Sequence, residues 1–307
     1  MRIEGQTFVV TGGYGFIGTH LVRELIRQGA GEVRVLDKAP RENASGDTLP
    51  SGRATLWEVD VTKPEDLGSA MDGAHGLFHM AVLPMGVSNQ DIRPALDINI
   101  VGTFNVFEAA LQGGVQKGVY SSASSVYGDT EAVMDESHPL DTLSMYGASK
   151  LAGELLLRAF GTHKGLEYVV LRYMNVYGPG QTGGLINAVI NRLHQNQAPA
   201  IFGDGTQSFD FVHVSDVVQA NIAAMTSDIS GEAFNIGGDE EYSVKDVIRL
   251  LQEMIGTSLE PEYHPAPSGD VQRRVGSSAK AKRLLGYQPS VPFREGLRHL
   301  VEGVNEQ

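Results

Sequence analysis

The chain has no cysteine, which excludes a disulfide framework, a thiolate metal site and a cysteine nucleophile. It also lacks any apolar run near the roughly 18 residues a membrane span needs. The amino terminus enters a strand-like run, Gln6 to Thr11, without a signal-peptide pattern. Positive charge is in deficit. Lys and Arg number 24 against 37 Asp and Glu, and the formal net charge of −13 repels nucleic-acid backbones and anionic membrane surfaces. The Asp, Glu and His residues lack the close spacing of metal ligands, so no metal is expected. What is present is ordinary for a globular protein: 41% hydrophobic and 20% charged residues can fold a core. A length of 307 residues allows one large α/β domain or two modest ones. A soluble cytoplasmic protein is the default expectation.

The first half alternates short β-branched runs with amphipathic stretches, which predicts parallel strands joined by crossover helices in a doubly wound α/β sheet. Strands are expected at Thr7 to Thr11, Val33 to Asp37, Thr55 to Val59, Gly76 to His79, Gly118 to Ser121 and Tyr168 to Leu171. Phe16 to Gln28 reads as a helix, with Ile17, Leu21 and Leu25 on one face and Gly29 as its stop. Asp91 to Leu111 and Tyr146 to Phe160 are the two longest helical patterns, and Pro40 to Arg53 reads as a surface loop. A first domain over 1–173 is expected, with a smaller lobe over 174–307 from which 207–236 returns to the first. Helical patterns there fall at Leu185 to Gln195, Val214 to Met225, Val244 to Ile255 and Pro292 to Val304, and Pro261, Pro265 and Pro267 suggest an extended connector.

Between the first strand and first helix lies Thr11-Gly-Gly-Tyr-Gly-Phe-Ile-Gly18. Gly12 permits a tight turn, Gly15 lets backbone approach a pyrophosphate, and Gly18 allows close helix–strand packing at a helix N-terminus that favours an anion. Asp37 ends the second strand where an acidic side chain receives an adenosine ribose and disfavours the extra phosphate of NADP, although Lys38 and Arg41 are close by. NAD is therefore the expected cofactor. Asp60-Val61 closes the third strand, where a carboxylate can receive the adenine amino group or cap a turn. His79 closes the fourth, and a lone histidine there reads as a packed residue before a catalyst. Tyr146 and Lys150 are four residues apart at the start of a helix, so both side chains share a face and the ammonium favours the phenolate. The serine-rich Tyr120-Ser-Ser-Ala-Ser-Ser-Val-Tyr-Gly128, after the fifth strand, can bring a hydroxyl to the same sheet edge.

Together with Arg172-Tyr-Met-Asn-Val-Tyr-Gly178, Gly203-Asp-Gly205, Asp210-Phe-Val-His-Val214 and Ala279 to Tyr287, these motifs resemble the extended short-chain dehydrogenase/reductase family. The likeness is to its nucleotide-sugar epimerase/dehydratase branch and covers nearly the whole chain. It implies Tyr146 as acid/base and Lys150 as the group that binds nicotinamide ribose and lowers the Tyr pKa. It adds Phe16, Ile17, Lys38, Met80, Ala81, Val82, Asn99, Ser121, Tyr173 and Val176 to the cofactor contacts. It places Asn175, Leu185 and Phe209 at the substrate, with Asn175 near its phosphates. The implied reaction is that of a UDP-hexose 4-epimerase passing through a 4-keto sugar, with NAD regenerated in each turnover, in a homodimer built on the two long helices.

Three departures from the family pattern stand out. The family's catalytic Ser/Thr position falls on Ala123, so Ser122 or Ser124 must supply the hydroxyl, and Ser124 is favoured because the strand is expected to end there. Phe209 stands where many relatives carry a phosphate-binding Arg, a charge that Arg273 or Arg274 can supply. The run after Tyr177-Gly-Pro179 lacks the Arg of uronic-acid-handling relatives, which weighs against a carboxylate-bearing sugar. Ser124 and Ser125 occupy the positions where dehydratases and decarboxylases of the family carry carboxylates, which favours epimerisation. A dehydratase or decarboxylase, a net dehydrogenase, and a sensor that binds NAD or a sugar nucleotide are the alternative readings.

Overall fold

The structure is a computed structural model that describes residues 1–38, 49, 52–266 and 271–305. β1 (Thr7–Thr11) leads into α1 (Phe16–Arg27), β2 (Glu32–Asp37), β3 (Ala54–Glu58), the short α2 (Gly68–Met71) and β4 (Gly76–His79). Then come α3 (Met85–Ser88), α4 (Ile92–Leu96), a π-helical stretch over Asp97–Gly102, α5 (Thr103–Gln112), β5 (Lys117–Ala123), α6 (Met145–Lys164) and β6 (Glu167–Tyr173). The remainder holds β7 (Asn175–Tyr177), α7 (Leu185–His194), β8 (Ala200–Phe202), β9 (Ser208–His213), α8 (Val214–Thr226) and β10 (Glu232–Ile236). β11 (Glu241–Ser243), α9 (Val244–Ile255), β12 (Glu262–His264), β13 (Arg273–Arg274), α10 (Ala279–Leu285) and α11 (Phe293–Asn305) complete it.

Seven parallel strands form the main sheet in the order β10-β6-β5-β4-β1-β2-β3. The chain runs outward from β1 through β2 and β3, then crosses back to β4 on the other side of β1. That reversal opens a crevice at the carboxyl ends of β1 and β4, the place where doubly wound sheets bind ligands. On one face Leu21 and Leu25 of α1 and Val217 and Ala224 of α8 cover Phe8, Val10, Val35 and Val169. On the other, Val106 and Phe107 of α5 and Leu157 of α6 cover Val9, Leu77, Tyr120 and Val170. Burial on both faces explains why these strands read as continuous apolar runs.

The later residues build a separate core from Ile186 and Val189 of α7, Val247 and Leu251 of α9, and Phe211, Phe293 and Leu297. β9 anchors it in a sheet with β7, β11 and β13. α8 and β10 return to the main sheet. The expected Asp91 to Leu111 helix contains the π stretch, because apolar periodicity reports which face is buried and is blind to one extra residue in the hydrogen-bond ladder. The proline-rich connector carries β12, which pairs in parallel with β8. Most of the Pro40 to Arg53 loop, and Pro267, lie outside the described residues. No helix among the described residues is long and apolar enough to cross a membrane.

Candidate active site

The turn between β1 and α1 has no room for side chains. Gly12 is left-handed at φ +66°, and a Cβ there would stand 2.8 Å from the Ala81 nitrogen; one at Gly18 would collide with the Gly12 carbonyl. Gly15 is the N-cap of α1 and offers no side-chain cap, so the N–H groups of the first turn, beside half-buried Phe16 and Ile17, face an open cradle. At the end of β2, the Asp37 carboxylate accepts from the Tyr14 N–H (3.1 Å) and the Lys38 N–H (2.9 Å), which fixes it beside the turn. The Lys38 ammonium pairs with Asp60 at 3.1 Å, so this nearby cation already has a protein partner. Burial pushes the Asp60 carboxyl up, but two bonds from Thr62 and the Lys38 charge outweigh it and hold it below its ordinary value. Val61 is buried against Gly102 and its carbonyl accepts from Asn105. A glycine cradle that a Cβ would fill and a carboxylate at the ribose position together suit NAD without a further phosphate.

The Met80 and Ala81 N–H groups donate to the Thr11 hydroxyl at 3.1 and 3.2 Å, which draws the end of β4 over Gly12 and leaves Ala81 and Val82 half-buried along the crevice. His79 is locked beneath them. Thr103 gives its proton to the Asn99 carbonyl (2.7 Å), so it accepts from His79 Nε2 (2.9 Å), while Nδ1 accepts from Thr11 (2.7 Å). Burial, helped by the Lys150 charge, lowers the imidazole to about 3, so it is a neutral pin between β1, β4 and α5. Asn99, aimed by the π stretch, clamps both backbone groups of Leu83 and donates to Ser149 (3.0 Å). Ser149 in turn donates to the Tyr146 carbonyl (2.8 Å), tying this wall to the first turn of α6.

Ser144 caps α6 by accepting from the Gly147 N–H at 3.0 Å, which starts the helix where Tyr146 and Lys150 fall on one face. The Lys150 ammonium donates to the Ser121 carbonyl (2.7 Å) and lies 5.9 Å from the centre of the Tyr146 ring and 5.1 Å from that of Tyr120. Burial brings Lys150 down to about 7, against the attraction of Glu154. Burial and then the neighbouring Tyr173 raise Tyr146 to about 12. Tyr173 is itself held by Ser121 (3.0 Å) and Asn221 (2.8 Å). At rest the pair therefore keeps its proton on the phenol, and added positive charge beside it is what draws the phenolate out.

The hydroxyl question left open by Ala123 has a geometric answer. Ser122 donates to Glu154 at 2.5 Å in the layer between the sheet and α6, and Glu154 is ion-paired with Arg172 at 2.6 Å. This corrects the expectation of Ser122 as a catalytic or substrate-binding group, because an extended strand sends it to the face behind the crevice. At Ser124 the strand has given way to a 3-10 turn, and its hydroxyl makes no hydrogen bond to a described residue. In the second lobe Asn175 donates to the Asp210 carbonyl (3.3 Å), Gln181 holds the Val176 carbonyl (3.0 Å), and Leu185 opens α7 against the third core. Phe209 is half-buried with its ring 6.1 Å from that of Phe211. Arg273 donates twice to Glu241, at 2.7 and 2.8 Å, and once to the Glu131 carbonyl. It is thus already engaged within the protein. Arg274 is buried and has no such pair among the described residues.

A doubly wound sheet with a glycine cradle, a carboxylate at the end of β2 and a Tyr–Lys pair at the same edge has the layout of a short-chain dehydrogenase/reductase site. The chain belongs to the NAD dependent epimerase/dehydratase family, whose sequence profile matches residues 8–237. It is 35% identical over 303 residues to a putative UDP-glucose 4-epimerase of Methanocaldococcus jannaschii, covering 95% of this chain and 96% of that one. A UDP-glucose 4-epimerase of Thermotoga maritima, solved with UDP-glucose, superposes with a TM-score of 0.92 at 33% identity over 98% of this chain and 99% of the other. A UDP-glucuronic acid 4-epimerase of Bacillus cereus, solved with UDP-glucuronic acid and NAD, gives 0.92 at 30% identity over 98% and 99%.

Proposed function

We propose that the protein interconverts C4 epimers of a UDP-sugar, with NAD held in the Gly12–Gly18 cradle against Asp37. The observation that carries this reading is the convergence of Tyr146 and Lys150 at the carboxyl edge of the sheet beside that cradle. NAD, when bound, supplies reversible hydride acceptance at the carbinol carbon. The chain's own residues manage the proton and the orientation. The Tyr146 oxygen takes the proton of the C4 hydroxyl and returns it, Lys150 favours its phenolate, and Ser124 offers the sugar oxygen a hydrogen bond. Asn175 and the second lobe hold the nucleotide end. The relatives that bind UDP-glucose and UDP-glucuronic acid support the nucleotide, and the absence of carboxylates at Ser124 and Ser125 favours epimerisation over dehydration or decarboxylation. Exposed Val101, Phe104 and Leu155 on the helices expected to dimerise support a homodimer.

Product analysis by NMR, with UDP-, dTDP- and GDP-sugars offered to the protein and NAD, tests this directly. The expected result is conversion of a UDP-sugar to its C4 epimer with no net reduction of the cofactor. Tyr146→Phe should lower turnover by about 10³-fold while leaving UDP-sugar affinity within a few fold. Unchanged turnover in that variant would remove Tyr146 from the mechanism. Stoichiometric reduction of NAD would make the protein a dehydrogenase.

A further inference from the structure

Tyr146 is the second residue of α6, in the turn where helices fray, whereas Lys150 is held one turn deeper by the Ser121 carbonyl at 2.7 Å. The spacing of the pair therefore depends on what fixes that first turn. Ser144 caps the Gly147 N–H from the residue that begins the helix, so this cap is local. The Tyr146 N–H is a first-turn donor that the helix itself cannot satisfy, and it donates instead to the Asn89 carboxamide oxygen at 3.2 Å. That bond comes from another part of the chain.

Asn89 ends α3, and its segment is braced by hydrogen bonds of its own. Ser88 donates to the Leu83 carbonyl at 2.6 Å, and the Asn89 N–H donates to the Met85 carbonyl at 3.1 Å. Leu83 is clamped by Asn99, and Asn99 reaches the Tyr146 carbonyl through Ser149. Both backbone polar groups of Tyr146 thus lead back to one wall, the N–H through Asn89 and the carbonyl through Ser149 and Asn99. The same wall begins with Ala81 and Val82, which flank the crevice.

We infer that Asn89 is a positioning residue: by holding the Tyr146 N–H, it sets where the phenol stands relative to Lys150 and the crevice. This rests on the assignment of Tyr146 as acid/base and extends it to the residue that aims that group. Asn89 acts through the backbone and moves no proton itself. Attraction between charges falls with separation, so a Tyr146 released from Asn89 is less favoured as phenolate and keeps its proton to higher pH. The base works only when deprotonated, so the acid limb of the rate profile moves up with it. A displacement of about 1 Å at a reacting group costs on the order of 10²-fold in rate, whereas one exposed hydrogen bond contributes little to the fold. Rate and stability should therefore separate.

The test compares the native chain, Asn89→Ala and Asn89→Asp, each loaded with NAD. Tyr146 ionisation is read from phenolate ultraviolet absorbance, as the difference from a Tyr146→Phe version of each chain, and kcat and KM are measured across pH on the UDP-sugar that the native chain converts. Asn89→Ala should move the Tyr146 ionisation and the acid limb of kcat up together by about half a pH unit or more. At neutral pH it should lower kcat by about 10- to 100-fold, with KM within about threefold and the melting temperature within about 3 °C of native. Asn89→Asp keeps an accepting oxygen and should recover kcat to within about threefold of native at pH above the limb. A lower kcat with both pH readouts unmoved makes Asn89 a structural contact only and overturns the inference, as does an unchanged kcat. If the native chain converts no UDP-sugar while Asn89→Ala still shifts Tyr146 ionisation, the substrate reading fails and this one stands. If neither is seen, both fail.

Discussion

Ser122 and Ser124 differ by two positions and by everything that surrounds them. Ser122 is still in an extended strand, and its hydroxyl reaches a carboxylate in the core. Ser124 begins a 3-10 turn at the crevice, which frees its hydroxyl from the strand's alternation. Ser124→Ala should therefore lower kcat by about 10²-fold, the scale of one hydrogen bond lost at a reacting oxygen. Ser122→Ala should change kcat little and cost about 1–3 kcal/mol in urea unfolding, the scale of a bond to a charged group. The opposite pattern would move the catalytic hydroxyl to Ser122. Much of this site was legible residue by residue. The places of Gly12, Gly18, Asp37, Tyr146 and Lys150 follow from local spacing within one turn, strand or helix, which a sequence displays. What stayed hidden needs two distant segments: the Lys38–Asp60 pair, the Thr11–His79–Thr103 chain, and the difference between Arg273 and Arg274. Alternation along β13 says that the two arginines diverge, but only its register with β9 says which one meets Glu241.

At the scale of elements, α6 carries the chemistry, and Glu154 pins it to the sheet. Tyr146, Lys150 and Glu154 fall at successive turns of one helix face, and Glu154 joins Ser122 of β5 and Arg172 of β6. Arg172 extends the chain to Tyr127 (2.8 Å), and Tyr127 to Asn235 of β10 (2.6 Å). Breaking one side of a buried pair leaves an unmatched charge, so Glu154→Ala should cost about 3–5 kcal/mol. Glu154→Met combined with Arg172→Met should be more stable than that single variant, because both charges leave together. Equal stability of Glu154→Ala and the native chain in urea unfolding would show that the pair does not pin the helix. Strand positions were legible because burial on both faces writes apolar runs into the sequence. The π stretch under Asn99 was less so, since it changes only the backbone ladder.

For the molecule as a whole, charge and apolar surface pull in opposite directions. A net charge of −13 on each chain makes two copies repel at a distance, and that repulsion is screened by salt. Against it stand exposed apolar side chains on the helices expected to dimerise. Val101 (47% exposed) in the π stretch, Phe104 (39%) on α5 and Leu155 (50%) on α6 leave large apolar groups in solvent, and the Phe104 ring lies 5.5 Å from that of Phe160, bridging the two helices. Burying such a surface between copies is the ordinary way to remove it from water. Light scattering at micromolar concentration should therefore give twice the mass of one chain, and raising salt should strengthen the association by screening the repulsion. Phe104→Glu with Leu155→Glu should give the mass of one chain with unchanged helical circular dichroism. A native chain that scatters as a monomer at both low and high salt would leave this apolar face to some other contact. The helices concerned also hold Tyr146, Lys150 and Asn99, so a monomeric variant that loses turnover while still binding NAD would locate the benefit of pairing in the steadiness of α6.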